Sequence, residues 1–502
     1  MTNQRFFATF LLVSTAALSP TLAFAQAAPL TADQKLEMLT AQVEALQKQV
    51  TELKAQTVKA TPTWKGAPQF NDAGEGWSFK PRGRLQYDAA YISTPGAFNA
   101  NRNLGFNSRV RRVRLGAEGS IPGGFGYKFD VDFANAAVGF GDVVLTYAPK
   151  GKPYAVKIGN QETFTGLDQM TSSNYISLLE RAQVNDAFLN NRRLGLSVGL
   201  HNKDETLRFD VGAFAAHTID NSFDNDGFIL GGRFVAAPKA LGGMFHIAAN
   251  AQYRDYQSND AGVASNSVGA PSINQVARFR ARPFLQTTDV RFVDTGNFAA
   301  KNDLILGAEL AGIFGPFYFA SEAQVNRVNA YRAGDIATGL DAFAGGSVVT
   351  PTGDPSFFSG YFELGYFLTG ESRGYKNGLF DRTKVLKPFS KGGAGAFQLV
   401  GRIDYLDLDS NKIKNGATNN FANGTSTLAA LNTRLGRGGK QTGYILGLNW
   451  MPQDYVRFLF NYIHTEVKGG PFAAIVDPLS THPVDQRRFS TDAFAVRAQV
   501  DF

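Results

Sequence analysis

Three groups of cations stand out by type and spacing. Arg109, Arg111, Arg112 and Arg114 crowd into one short segment, Arg278, Arg280 and Arg282 recur at every second position, and so do Lys80, Arg82 and Arg84. In an extended chain, residues two apart share a face, so each alternating set puts its charges on one side with rungs roughly 7 Å apart. A row of guanidinium groups suits an oxyanion. The planar fork pairs bidentately with phosphate-like groups and stays charged at any physiological pH. At an effective dielectric near 20, one unit-charge contact at 4 Å is worth about 4 kcal/mol before desolvation costs. Several weak sites in line allow entry and exit without trapping. For Arg278, Arg280 and Arg282 the plain alternative is a solvated loop neutralised by acidic neighbours.

Other chemistry finds little support. Cysteine is absent, which excludes disulfides, thiolate metal sites and cysteine nucleophiles. The five histidines show no ligand spacing with acidic partners, so neither a metal nor a cofactor is expected. Gly370-Glu371-Ser372-Arg373-Gly374 matches a nucleophile elbow. That motif needs a strand-turn-helix in an α/β sheet, and the sequence does not alternate strand with helix, so no enzyme is expected. The net charge of +7 is not gathered into a polycationic run beyond Arg109 to Arg114, so nucleic acid is not an expected partner.

The cations need elements to hold them, and the chain offers strands of period two. Tyr127, Phe129, Val131 and Phe133 alternate with Lys128, Asp130 and Asp132. Leu207, Phe209 and Val211 alternate with Arg208 and Asp210, and Val456, Phe458, Phe460 and Tyr462 with Arg457 and Asn461. Sixteen such segments are expected, centred near Leu85, Arg114, Asp130, Leu145, Val156, Leu196, Phe209, Gly232, Ala248, Leu306, Ala320, Phe362, Gly401, Gly447, Phe458 and Val496. The even number fits a closed antiparallel bacterial barrel. Tight turns at Ser120–Gly124, Pro149–Lys152, Asn202–Asp204 and Pro452–Gln453 alternate with long connections at Gln161–Arg192, Asp255–Asn302 and Asp409–Lys440. Gly370–Gly395 breaks the rule, being long on the short side. Phe494, Val496, Ala498, Val500 and Phe502 alternate to a terminal aromatic. Lipid cannot satisfy an open sheet edge, and sixteen strands leave a lumen that eight would fill.

The expected fold class is therefore all-β, a 16-stranded transmembrane antiparallel β-barrel with a short N-terminal coiled-coil helix. Residues 1–25 read as a signal peptide, with an apolar core from Phe6 to Leu18 and Ala23-Phe24-Ala25 as cleavage site. Residues 30–57 read as a coiled coil, on Leu36, Leu39, Val43, Leu46, Val50 and Leu53 at heptad spacing, residues 58–76 as a linker, and 77–502 as the barrel. With the aromatic set towards lipid, Lys80, Arg82, Arg84, Gln86 and Asp88 point inward, as do Arg112, Arg114 and Lys157, with Arg109 and Arg111 near the rim. Gln161 to Arg192 is the expected constriction loop, with Thr171-Ser172-Ser173 supplying hydroxyls and Glu180-Arg181 an internal ion pair.

Taken jointly, these features resemble the phosphate-selective porin O and P family over nearly the whole mature chain. They include Arg109 to Gly116, Ile158-Gly159-Asn160-Gln161, Thr171-Ser172-Ser173, Glu180-Arg181, Arg291 to Gly296, Phe367 to Glu371 and Phe502. The resemblance implies a homotrimer in the bacterial outer membrane, in contact with its lipid, passing small inorganic anions of the phosphate kind. It implies a central anion site at Arg111 and Arg112 with Ser172 and Ser173, and an arginine ladder at Arg278, Arg280 and Arg282. One position departs. Phosphate-selective members carry a lysine three residues before the Ser-Ser pair, where this chain has Gln169, which should weaken phosphate affinity. A general or neutral-solute channel of the sugar type is the alternative, since Asp88, Glu118, Asp130 and Asp132 also face inward.

Overall fold

The computed structural model describes residues 31–60, together with 62–502 apart from 65, 73–75, 97–103, 135–137, 189–190, 217–218, 220–226, 257–275, 331–347, 350, 414–437, 477–481 and 483. The expected leader, 1–25, lies outside the described residues. The chain divides into two units, Met1–Thr61 and Pro62–Phe502. In the first, α1 (Ala32–Ala60) starts at a reciprocal cap. The Thr31 amide donates to Gln34 Oε1 (3.1 Å) and the Gln34 amide to Thr31 Oγ1 (3.4 Å), satisfying donors the helix leaves free. Leu36, Leu39, Val43, Leu46 and Val50 on this helix are exposed.

In the second unit the described residues form sixteen long strands. They are β1 (Trp77–Ile92), β2 (Gly105–Ile121), β3 (Phe125–Asp132), β4 (Gly139–Tyr147), β5 (Tyr154–Gln161), β6 (Arg193–His201), β7 (Leu207–Ala215) and β8 (Phe228–Ala236). Then come β9 (Gly243–Asp255), β10 (Asn297–Phe314), β11 (Phe317–Ala330), β12 (Ser356–Phe367), β13 (Ala396–Asp407), β14 (Lys440–Gln453), β15 (Val456–Lys468) and β16 (Arg488–Asp501). Each expected centre falls inside its own strand. Neighbours pair antiparallel in chain order, and β16 closes on β1 with Asp501 opposite Arg84, Gln499 opposite Gln86 and Arg497 opposite Asp88. Within the segment read as a linker, Pro68–Asp72 pairs with the start of β1.

Alternation sets the two faces. On β16, Arg497 and Gln499 are buried while Phe494, Val496 and Val500, in the alternate phase, are exposed. A water-soluble sheet would bury the aromatic set instead. Leu446, at mid-strand on β14, is 63% exposed, as suits a face turned away from water towards acyl chains. Outward rings pair across strands near both ends. Trp450 stacks on Phe458 (5.2 Å) and Phe125 sits by Tyr147 (5.0 Å) at one end, with Tyr462 by Phe494 (5.1 Å) and Phe358 by Tyr405 (6.2 Å) at the other. These are the girdles of a barrel that spans a bilayer. At the turn end, 122–124, 315–316 and 454–455 are tight, while 162–192 and 256–296 are long at the opposite, loop end.

Among the described residues three connections enter the lumen. The segment 162–192 carries α2 (Leu167–Met170) and α3 (Gln183–Ala187). The second is 276–296. The third is the anomalous turn-end connection 368–395, which forms a small hairpin, Gly374–Lys376 with Leu379–Asp381. The inner wall of β9 to β16 supplies the partners that the backbone of 162–192 would otherwise lack. Gln252 donates to Thr163 Oγ1 (2.8 Å), Gln324 to the Thr165 carbonyl (2.6 Å) and Asn449 to the Ser177 carbonyl (2.6 Å). Glu322 accepts from the Asp168 amide (2.6 Å), and Arg457 donates to the Ile176 carbonyl (2.9 Å). Leu167, Leu178, Leu179 and Phe188 bury beneath. At Gly166 (φ +124°) an added Cβ would lie 2.2 Å from Glu322 Oε2, so glycine is what lets the loop press against this wall. The open passage is thereby confined to the side of β1 to β6.

Candidate functional site

That confinement sorts the arginines. Arg254, Arg402, Arg457 and Arg497 are buried on the loop's bed, and Arg233 of β8 is buried against the turn-end hairpin, donating to the Gly378 carbonyl (3.0 Å). Four of the five hold carboxylates, as in Arg402 with Glu363 (2.6 Å) and Arg233 with Glu309 (2.6 Å). They fasten the inward connections and do not line an open channel.

Arginines of β1 and β2 face the passage, and one irregularity arranges them. Gln86 pairs with Arg112, but its neighbour Tyr87 pairs with Val110, so β2 carries an extra residue at Arg111. A bulge of this kind re-aims a side chain and shifts the phase of alternation. Arg111 therefore joins Arg112 inside the lumen instead of standing near the rim as expected. Arg109, also expected at the rim, faces Asp88 in the register and donates to the Gln286 carbonyl of the second inward connection (2.7 Å). The sequence held the signal: outward Val110 and Val113 are an odd number of residues apart, which period two forbids without a bulge.

Most of these charges have partners. Arg114 pairs with Asp132 (2.8 Å), and Arg82 pairs with Glu118. Arg111 grips both oxygens of Glu180 (2.8 and 3.1 Å). The expected Glu180–Arg181 ion pair is not the one formed. Glu180 turns to Arg111 and Arg497 (2.8 Å), while Arg181 donates to the carbonyls of Asp168 (2.8 Å) and Thr171 (2.6 Å). Two wall arginines outnumber one loop cation, and burial against the wall favours the pairing with more donors. Burial alone would raise the Glu180 carboxyl, but Arg111 and Arg497 hold it well below the usual carboxylate range.

Arg84 and Arg112 differ. Neither has a carboxylate partner among the described residues. Arg84 donates to Ser173 and, at 3.3 Å, to Ser172, while its Nε is buried without an acceptor. Arg112 donates to Gln86 Oε1 (2.7 Å), and Gln86 in turn bonds the Ser173 carbonyl (3.3 Å) and Gln499 (2.7 Å). Two guanidinium groups thus stand beside two loop hydroxyls, joined through Gln86, in a constriction held on both sides.

The passage widens on each side of it. Towards the loop end, a cavity of about 400 Å³ gathers Arg111, Arg112, Arg114, Gln169 and Arg282, and adds Arg181, Arg192 and Arg291, against Glu180 and Asp186. Gln169 donates to Glu162 (3.1 Å), which also pairs with Arg192 (3.0 Å). Towards the turn end, a cavity of about 730 Å³ carries Lys80, Lys128 and Lys157 against Glu118, Asp142 and Glu162. Lys157 has no ion pair among the described residues.

Arg278, Arg280 and Arg282 share one side of an extended segment, with Phe279 and Ala281 buried on the other. Only Arg282 lines the loop-end cavity. Arg278 is neutralised by Asp294 (2.5 Å) and Arg282 meets Asp186 (3.2 Å), much as the solvated-loop alternative supposes. Arg280 has no partner among the described residues. Burial, then the neighbouring Arg278 and Arg291, lowers its guanidinium from the ordinary value, which an anion would relieve. Gly370–Gly374 lies in the turn-end connection and leads into a hairpin, so no strand-turn-helix elbow forms there.

A closed sixteen-stranded barrel with apolar exterior, paired aromatic girdles and a charged, constricted lumen is an outer-membrane porin. The comparisons place it further. The profile of the phosphate-selective porin O and P family matches residues 79–502, and the chain belongs to that family. An uncharacterised protein of Caulobacter vibrioides is 33% identical over 408 residues, covering 80% of this chain and 70% of its own. Porin O of Pseudomonas aeruginosa is 25% identical over 426 residues, covering 80% of this chain and 85% of its own. Among solved structures, an anion-selective porin from Comamonas acidovorans aligns with 85% of this chain and all of its own (100%), at 13% identity and a TM-score of 0.44. The chain is thus a channel of the bacterial outer membrane.

Proposed function

We propose that the barrel passes small oxyanions by diffusion, phosphate or a close relative foremost, through a constriction whose recognising groups are Arg84, Arg112, Ser172 and Ser173. The observation that carries this is that Arg84 and Arg112, on the wall facing the passage, have among the described residues no carboxylate partner of the kind that neutralises their neighbours Arg82, Arg111 and Arg114. An unpaired guanidinium in a narrow, half-dry site favours an anion that can accept two parallel hydrogen bonds. Two hydroxyls at the same level donate further. The loop-end cavity concentrates anions ahead of this point, and Lys80 and Lys157 draw them onward.

The sugar-type reading loses ground on two counts. Inward aromatic rings such as Tyr318 and Tyr361 are buried on the loop's bed, not strung along the passage. The acidic residues Glu118, Asp132 and Asp88 offset Arg82, Arg114 and Arg497, but among the described residues no carboxylate pairs with Arg84 or Arg112 at the constriction. The Gln169 position fits a broader anion preference, since an amide bonded to Glu162 adds no charge. Homotrimer assembly, with the exposed seam of α1 packing between copies, belongs to the same proposal. The test is a single-channel recording in potassium chloride with inorganic phosphate added. Chloride current falls with rising phosphate if the reading holds. No inhibition at millimolar phosphate overturns the phosphate preference.

A further inference from the structure

We infer that Glu180 is a tethered stand-in for the permeating anion, a resident carboxylate that occupies one guanidinium seat and yields it to passing oxyanions. The inference rests on the reading of the lumen as an oxyanion passage.

Three observations converge. First, the geometry is that of cargo: Glu180 Oε1 and Oε2 lie 2.8 and 3.1 Å from Arg111 Nε and Nη2, the fork-on-fork arrangement an oxyanion would take. Second, Glu180 is the single hydrogen-bond acceptor of Arg111 among the described residues, and Arg111 is the bulge residue brought inward beside Arg112. Third, Arg497, the other cation on Glu180, does not need it. Asp88 already meets Arg497 bidentately (2.6 and 2.7 Å). A carboxylate placed only to steady the wall would be redundant there, whereas at Arg111 it is decisive.

The consequence is kinetic. Three bare guanidinium groups, Arg84, Arg111 and Arg112, beside two serine hydroxyls would hold a phosphate too well, and a conduit needs weak sites. With Glu180 on Arg111, an arriving anion displaces a carboxylate, and when it leaves the carboxylate returns. No step strips a buried guanidinium of its counter-charge. The side chain moves within reach of its own tether, since its carbonyl is fixed by Arg402 (3.5 Å) while the carboxylate borders the loop-end cavity.

The test uses the full-length protein in planar bilayers, titrating chloride current with inorganic phosphate. Glu180→Gln, nearly isosteric and uncharged, lowers the half-inhibiting phosphate concentration about tenfold, equivalent to about 1.4 kcal/mol. Glu180→Asp retracts the carboxylate by one methylene, shifts the value the same way by about threefold, and keeps the test available should the amide fail to insert. In an Arg111→Gln background the effect of Glu180→Gln vanishes, as a double-mutant cycle requires for a direct pair. Asp210→Asn, which removes the same charge beside Arg208 and touches neither Arg111 nor Arg497, leaves the value unchanged. An unchanged or raised concentration in the Glu180 variants overturns the inference, and so does an equal drop in Asp210→Asn. Wild-type current indifferent to phosphate would sink the proposed function instead, which separates the two failures.

Discussion

Replacing Arg112 with alanine removes a charge that no carboxylate contacts directly among the described residues. The side chain is 6% exposed and its described contact is a neutral amide, Gln86 Oε1 at 2.7 Å. Gln86 keeps its bonds to Ser173 and Gln499, so the wall survives the change and what is lost is recognition. A hydrogen bond from a charged donor is worth about 1.5–3 kcal/mol net, which is roughly a tenfold to hundredfold change in affinity. The half-inhibiting phosphate concentration in a chloride-current titration should therefore rise at least about tenfold. Arg208→Ala is the matched control. Arg208 is bound to Asp210 through two bonds (2.7 and 2.8 Å) on β7, away from the serine pair, and its loss should move the value less than about twofold. Arg112→Lys separates charge from shape. The ammonium preserves preference for anions over cations but lacks the fork, so phosphate inhibition weakens while selectivity stays. Equal effects of Arg112→Ala and Arg208→Ala would refute the map of the passage. Full retention of phosphate inhibition in Arg112→Lys would refute bidentate recognition.

Three further outcomes are expected. Gln169→Lys should strengthen phosphate inhibition by less than about fivefold, because Glu162, 3.1 Å from the amide, captures part of the new charge; adding Glu162→Gln should release the remainder in the same titration. Gly83→Val should weaken barrel closure by about 1–3 kcal/mol, since an added Cβ would lie 2.0 Å from Phe502 Cζ at the β1–β16 seam; the folded, fast-migrating gel band should disappear at a lower temperature than in wild type. Leu446→Arg puts a charge on the exposed outer face at mid-strand and should cost about 2–4 kcal/mol of folding free energy in lipid vesicles; a neutral result would place that face against water.

What the sequence made legible was whatever repeats locally. All sixteen strands could be read because Phe, Leu and Val alternate with polar residues wherever lipid faces one side and water the other, a pattern each strand carries alone. The inward direction of Arg82, Arg84, Arg112, Arg114 and Lys157 followed from it. Partner choice was not legible, because it depends on strands far apart in the chain: Glu180 finds Arg497, Asp186 finds Arg282, and Asp168 sits beneath Glu322. The loop's bed was missed for the same reason. Arg402, Arg457 and Arg497 look like lumen cations in their strands, and only the folded loop turns them into anchors. The bulge at Arg111 was readable in principle from the odd spacing of Val110 and Val113. The inward hairpin at 374–381 announced itself as a long connection at the wrong end, but nothing local gave its direction.

The central claim is that anions are the ions this lumen favours, and the reversal potential under a tenfold potassium chloride gradient tests it most directly. A perfectly selective pore would reverse near 59 mV in magnitude with the sign set by chloride. This channel should reverse on the chloride side and move towards zero in Arg112→Ala. Reversal at zero, or on the potassium side, would contradict the account.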